Sequence, residues 1–281
     1  MRRGWELSGK SWNVIQGDRA LLVLPLLSVL TTLIAAAIIF APASYYAVHD
    51  HTRAPFVLAA VIGAYPFTFI ATFFNVAFVA VVRRKFAGEP ATLGDGLAVA
   101  RSRVGAIAAW SLLSTLVGLA LRALERVRGG AIAEWIAAMI LGATWSLATM
   151  LVVPIITLDG VGPIKTLRRS GRLVRDKWGE GITGSVVIGA AFALLTIPVM
   201  IVGVIGWTSF AGSHAFGVIA IAIAVGLLLV VMAAQNAVTQ VFHLALYDYA
   251  TDGTAAAGIF TEADLQSAMR PRKRPFRRSK S

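Results

Sequence analysis

Six blocks of 20 or more residues run through this sequence without an Asp, Glu, Lys or Arg near their centres. About 20 apolar helical residues match the ~30 Å hydrocarbon core of a bilayer. Only 14% of the chain is charged, against roughly 25% for a soluble domain. The blocks are too long for barrel strands and lack period-two alternation. Helical spans are therefore expected over residues 20–41, 55–82, 104–123, 132–158, 182–207 and 216–247. The fold class this implies is all-α: a polytopic transmembrane bundle of six spans in three hairpins, with interfacial amphipathic helices on the cytoplasmic side. Residues 1–260 read as a single membrane domain. Residues 261–281 read as a short capped helix followed by a disordered basic tail. In that segment Thr261 and Asp264 have capping-box spacing, and Phe260 and Leu265 have hydrophobic-staple spacing. The first block is longer than the apolar core of a signal peptide and is expected to be retained as a span.

The distribution of Lys and Arg gives the expected orientation. Of 26 such residues, all but Arg53, Arg122, Arg126 and Arg128 fall in the N-terminal segment, in the links after the second and fourth spans, or in the tail. Positive charge collects on the cytoplasmic side of membrane proteins. Both termini are therefore expected in the cytoplasm of a multi-pass protein of the plasma membrane. The net charge of +12 is accounted for in this way, and no nucleic-acid partner is expected, because the charges flank spans rather than cover a folded basic domain.

The two basic links share a pattern at an offset of 74 residues. Thr92-Leu93 aligns with Thr166-Leu167, Arg101 with Arg175, Arg103 with Lys177 and Gly105 with Gly179. Each copy leads into a span. In the second copy Ile164, Leu167, Gly171, Val174 and Trp178 form an apolar face, while Lys165, Arg168, Arg169, Arg172 and Arg175 fill other positions. A helix of that kind lies in the membrane interface with its basic side on anionic headgroups. The N-terminus follows the plan more loosely, with Trp5, Ser8, Trp12 and Ile15 on one face. The expected plan is three units, each an interfacial helix, an outgoing span and a returning span. Short Arg- and Leu-bearing stretches can also match by chance.

Several phrases carry a family resemblance. They include Ser11-Trp12 with Asp18-Arg19-Ala20-Leu21-Leu22 and Pro25, and Phe73-Phe74-Asn75-Val76-Ala77 leading to Gly94-Asp95-Gly96-Leu97. Others are Val153-Pro154 through Gly160-Val161-Gly162-Pro163 to Lys177-Trp178-Gly179-Glu180, and Leu246-Tyr247-Asp248-Tyr249-Ala250. Over nearly its whole length the chain resembles a family of uncharacterised prokaryotic six-helix integral membrane proteins, a domain of unknown function. The resemblance implies the fold and brings no activity, substrate or catalytic residue.

Few residues are placed for chemistry. There is no cysteine, so disulfides, thiolate metal sites and cysteine nucleophiles are excluded. The spans lack the central ionisable groups that mark proton relays and ion paths, which argues against a proton-driven transporter. Polar residues do occur within spans: Asn75 in the second, and Gln235, Asn236, Thr239, Gln240 and His243 in the sixth. Gln235, Thr239 and His243 share a helix face. Three readings fit them: a polar cavity or substrate stripe, hydrogen bonds between helices, or a turn that projects into water. His49, Asp50, His51 and His214 lie in outer loops, and imidazole and carboxylate suit first-row metals. The loops need not meet, so no metal is assigned. No phosphate loop, nucleophile elbow, paired carboxylates or zinc motif is present. The expectation is a non-enzymatic scaffold or lipid-associated membrane protein with no cofactor. Its expected partners are anionic lipids of the cytoplasmic leaflet, and protein partners are unspecified. The alternative is a transporter or permease for an uncharged or amphipathic solute, using the polar stripe.

Overall fold

The computed structural model describes residues 19–50, 52–127, 132–178, 183–209 and 213–252. Among these the chain is helical and forms no strand. We number the helices α1 (Arg19–Asp50), α2 (Ala54–Phe86), α3 (Leu93–Ser102), α4 (Val104–Val127), α5 (Ile132–Thr149), α6 (Val152–Asp159), α7 (Pro163–Trp178), α8 (Thr183–Ser209) and α9 (His214–Asp252). Six segments are long and apolar enough to cross a membrane: Ala20–His49, Ala54–Phe86, Val104–Ala123, Ile140–Asp159, Phe192–Ser209 and His214–Thr251. The chain is thus an all-helical, multi-pass membrane protein. The expected N-terminal amphipathic segment, His51 and the capped C-terminal segment lie outside the described residues.

Two boundaries differ from the sequence expectation for physical reasons. The first helix does not end near residue 41 but continues through Pro42 to Asp50. Ser44 follows the proline and donates its hydroxyl to the Ala41 carbonyl at 2.7 Å. No glycine or further proline follows in residues 43–50 to stop the helix beyond the apolar block. The fourth span is broken at Met150–Leu151 into α5 and α6. Pro154 explains the break: it has no N–H for the Met150 carbonyl, and its ring crowds that carbonyl. Ser170 of α7 repairs part of the damage, its hydroxyl accepting a hydrogen bond from the buried Leu151 N–H at 3.3 Å.

The hub is α2, which packs against α1, α3, α4, α6 and α9. Its stretch from Val76 to Val82 is buried on every side. The rest of the core comes from the same end of the bundle. It includes Leu21 and Leu24 of α1, Ile107 and Trp110 of α4, Leu151 to Ile156 around the break, and Ala237 to Ala250 of α9. We call this the basic end, since Arg83, Arg84, Arg103 and α7 lie there. Toward the other end the helices part. Large apolar side chains such as Ile38, Leu58, Leu116, Ile205 and Ile219 are exposed, as a lipid-facing surface requires. Small residues hold the pairs together there: Gly206 of α8 sits against Ala220 and Ile221 of α9 so closely that a methyl would come within 3.0 Å of both.

The two helices expected at the membrane interface, α3 and α7, return onto the preceding span. α3 lies on α2, and α7 lies on α5 and α6. The α3 contact is very close: a methyl on Gly96 would lie 2.6 Å from the Ala77 carbonyl oxygen. The repeated threonines do different work in the two copies. Thr92 is the N-cap of α3 and shares a reciprocal capping box with Asp95. Thr166 lies inside α7, is fully buried, and donates its hydroxyl to the Gly162 carbonyl at 3.0 Å.

Candidate functional site

The sixth-span polar residues do not act as one stripe. Thr239 spends its hydroxyl on the Gln235 carbonyl of its own helix, 2.7 Å away. Gln235 itself is half-buried. Gln240 is buried, and its Oε1 has no hydrogen-bond partner among the described residues; the same is true of the buried His243 Nε2. Asn236 alone of this group reaches another span: its Nδ2 donates to Asn75 Oδ1 at 2.6 Å. Of the six residues the sequence singles out, only Asn75 and Asn236 are joined side chain to side chain among the described residues.

That pair lines a recess of ≈ 200 Å³ between α1, α2 and α9. Ser28 and Thr32 of α1, Phe78 of α2 and Met232 of α9 also line it. No charged side chain does. Helix spacing explains the convergence: residues 28 and 32 are one turn apart on α1, and residues 232 and 236 are one turn apart on α9. An amide has two donor hydrogens and a carbonyl acceptor, so one mutual bond leaves most of the capacity of both asparagines unused. Among the described residues neither amide has another partner, and the Ser28 hydroxyl has none either. Thr32 is satisfied by the Ser28 carbonyl at 2.7 Å.

A second constellation, not anticipated from the sequence, closes the basic end. Arg169 of α7 pairs with Asp159 at the end of α6, Nη1 to Oδ2 at 2.8 Å. Its Nη2 donates to the Tyr247 hydroxyl of α9 at 2.9 Å, and that hydroxyl donates to Asp159 Oδ2 at 3.2 Å. The guanidinium also lies 5.8 Å from the Tyr247 ring centroid. On the neighbouring residue, Asp248 forms a direct ion pair with Arg83 of α2. Consecutive residues of α9 are thus tied to opposite neighbours. The signal was present in the phrase Leu246-Tyr247-Asp248, but the partners lie 78 to 165 residues away along the chain. On the same side, Arg84 reaches Asp95 at 2.9 Å. The Asp95 carboxyl is held below its usual range by the Thr92 backbone N–H, then the Thr92 hydroxyl, with the Arg84 charge adding to both.

The five residues expected on lipid headgroups divide. Lys165, Arg168, Arg172 and Arg175 are exposed on α7. Arg169 is also partly exposed, but its guanidinium has the protein partners just described. The buried face of α7 is Thr166, Ser170 and Val174, rotated from the expected apolar face, and Ile164 is 60% exposed. Burial there follows hydrogen-bonding need as well as apolarity, because Ser170 serves the break in the fourth span. His49, expected in an outer loop, lies in the last turn of α1, bonded to the Tyr45 carbonyl at 2.8 Å. Among the described residues no cluster of three metal-ligating side chains occurs.

A family model matches residues 56–258, and the chain belongs to that family, described as a family of unknown function (DUF6159). This is the kind of uncharacterised family that the sequence motifs resemble. No curated protein and no solved structure matches the chain.

Proposed function

Since membership of a family of unknown function brings no activity with it, we propose from the chain's own residues a non-enzymatic, lipid-associated scaffold of the cytoplasmic membrane. In this reading both termini face the cytoplasm, and the basic end meets anionic headgroups. The observation that carries it is α7. Lys165, Arg168, Arg172 and Arg175 are exposed beside a packed core, while Thr166, Ser170 and Val174 anchor the helix beneath them. A rigidly held cationic face at the membrane surface attracts anionic lipid by about 1 kcal/mol per charge.

The test is lipid retention by the full chain. The protein is extracted gently, and its bound lipids are read by native mass spectrometry. Changing Lys165, Arg168, Arg172 and Arg175 to Gln should remove anionic lipid selectively, and the loss should match what raised salt does to the parent protein. Arg169 is left intact, because its partners are inside the protein. Unchanged anionic-lipid retention in the four-site variant would sink the reading.

A second reading, carriage of an uncharged or amphipathic solute, is favoured by the recess at Asn75 and Asn236. Flux that falls on Asn236→Ala would support it, whereas a loss of stability without any change in flux would favour the scaffold.

A further inference from the structure

We infer that the recess between α1, α2 and α9 is a binding site for an uncharged, membrane-dissolved molecule. Such a molecule carries a hydroxyl or amide partway along a hydrocarbon chain. The polar group sits between Asn75, Asn236 and Ser28, and the chain lies along Val29, Leu33 and Met232. This deepens the second reading, but it needs only binding and no movement across the membrane.

Three observations specify the ligand. The first is depth. Asn75 lies eight residues before Arg83, about 12 Å along the helix, and Asn236 lies twelve residues before Asp248, about 18 Å. Those charges mark the basic end, so the recess lies near the middle of a ~30 Å hydrocarbon slab. Headgroups of ordinary lipids do not reach that level, so the polar group must sit away from the membrane surface.

The second is hydrogen-bonding capacity. With the Asn236–Asn75 bond made, donors remain on both amides and an acceptor remains at Asn236 Oδ1. The Ser28 hydroxyl adds one donor and further acceptor capacity. A ketone or ester can only accept, whereas a hydroxyl or amide answers both needs. Exchanging the O and N of either asparagine still leaves donors and acceptors exposed to the recess. Polar capacity left open to hydrocarbon is costly, and Asn236 is exposed on the outer surface of the helices.

The third is the lining. It holds no charge, and its mouth is flanked by exposed Leu33 and Met232. Entry is therefore from the lipid side, and a charged headgroup would find no partner.

The experiment uses the full chain in lipid nanodiscs. The probe is a long-chain secondary alcohol hydroxylated at mid-chain, with a photoactivatable diazirine beside the hydroxyl. The control is the same chain without the hydroxyl. Irradiation and peptide mapping should place the alcohol on the segments around Ser28, Asn75 and Asn236, with labelling about fivefold or more above the control, the order expected of one hydrogen bond in a bilayer. Asn75→Leu combined with Asn236→Leu should abolish that preference. If this pair of changes prevents folding, Met232→Trp alters an exposed residue, keeps the amide pair, fills the recess, and should abolish labelling as well. Equal labelling by the two probes, or alcohol labelling unchanged in a folded variant, would overturn the inference. Competition by a short water-soluble alcohol would overturn the assignment to a membrane-dissolved ligand. Retention of anionic lipid at α7 is read on the same samples, so failure here is distinct from failure of the scaffold proposal.

Discussion

Gly160 ends α6 with φ of 62°, in the left-handed region, and a methyl there would land on the Arg103 guanidinium. Gly160→Ala should lower stability by about 1–3 kcal/mol, from backbone strain plus displacement of Arg103. Gly162→Ala meets nothing within 4 Å and should be close to neutral. Thermal unfolding of the two variants side by side is the check. Asp95 gives a pH prediction. Its folded pKa is depressed, so its contribution to stability is present above the unfolded value and is lost as pH falls through the folded one. The parent should lose stability on acidification below the ordinary aspartate pKa of 3.8, and Asp95→Asn should lose less over the same window. Both glycines and Asp95 sit in motifs visible in the sequence. The capping box could be read from Thr92 and Asp95 alone, because it is local. The role of Gly160 could not, since it depends on Arg103, whose place is set by the fold.

At the scale of elements, the joints matter more than the spans. Span number and type followed from hydrophobic length, a local property that the bilayer enforces. The break in the fourth span was hinted at by Pro154, but its repair by Ser170 was not, because α7 had to be rotated before Ser170 faced Leu151. Ser170→Ala should cost about 1–2 kcal/mol, as a buried N–H loses its acceptor, and should do so more than Ser102→Ala, whose exposed hydroxyl bonds its own helix. The tie from α9 to α6 and α7 gives a parallel test. Tyr247→Phe keeps the ring over Arg169 and removes only the hydroxyl shared with Asp159. It should cost about 1 kcal/mol, and the loss should shrink if Arg169 has already been changed to Ala. Equal losses in both backgrounds would mean that the three residues do not act together.

Across the whole molecule, the tight basic end and the parted opposite end follow from where the polar ties between helices concentrate. The division of charge was legible from the sequence, and so was a scatter of polar residues in the second and sixth spans. The pairing of Asn75 with Asn236 was not, because no local pattern states which turns of two distant helices meet. The proposed orientation is testable on the natural background, since the chain has no cysteine. Thr52→Cys and Gly94→Cys should react with a membrane-impermeant thiol reagent from opposite sides, Gly94→Cys from the cytoplasm. Reaction of Gly94→Cys from outside and Thr52→Cys from the cytoplasm would reverse the topology, and labelling of both from one side would overturn it. The core at the basic end also has a consequence in time. Its largest contribution comes from Ala237 to Ala250, which a ribosome makes last among the described residues. Until α9 emerges, α2 waits in the bilayer with Asn75 lacking its partner amide and Arg83 lacking its carboxylate. The first hairpin can insert early, but the bundle locks only when its final helix arrives, and a chain stalled before that point presents these two polar groups to quality-control proteases.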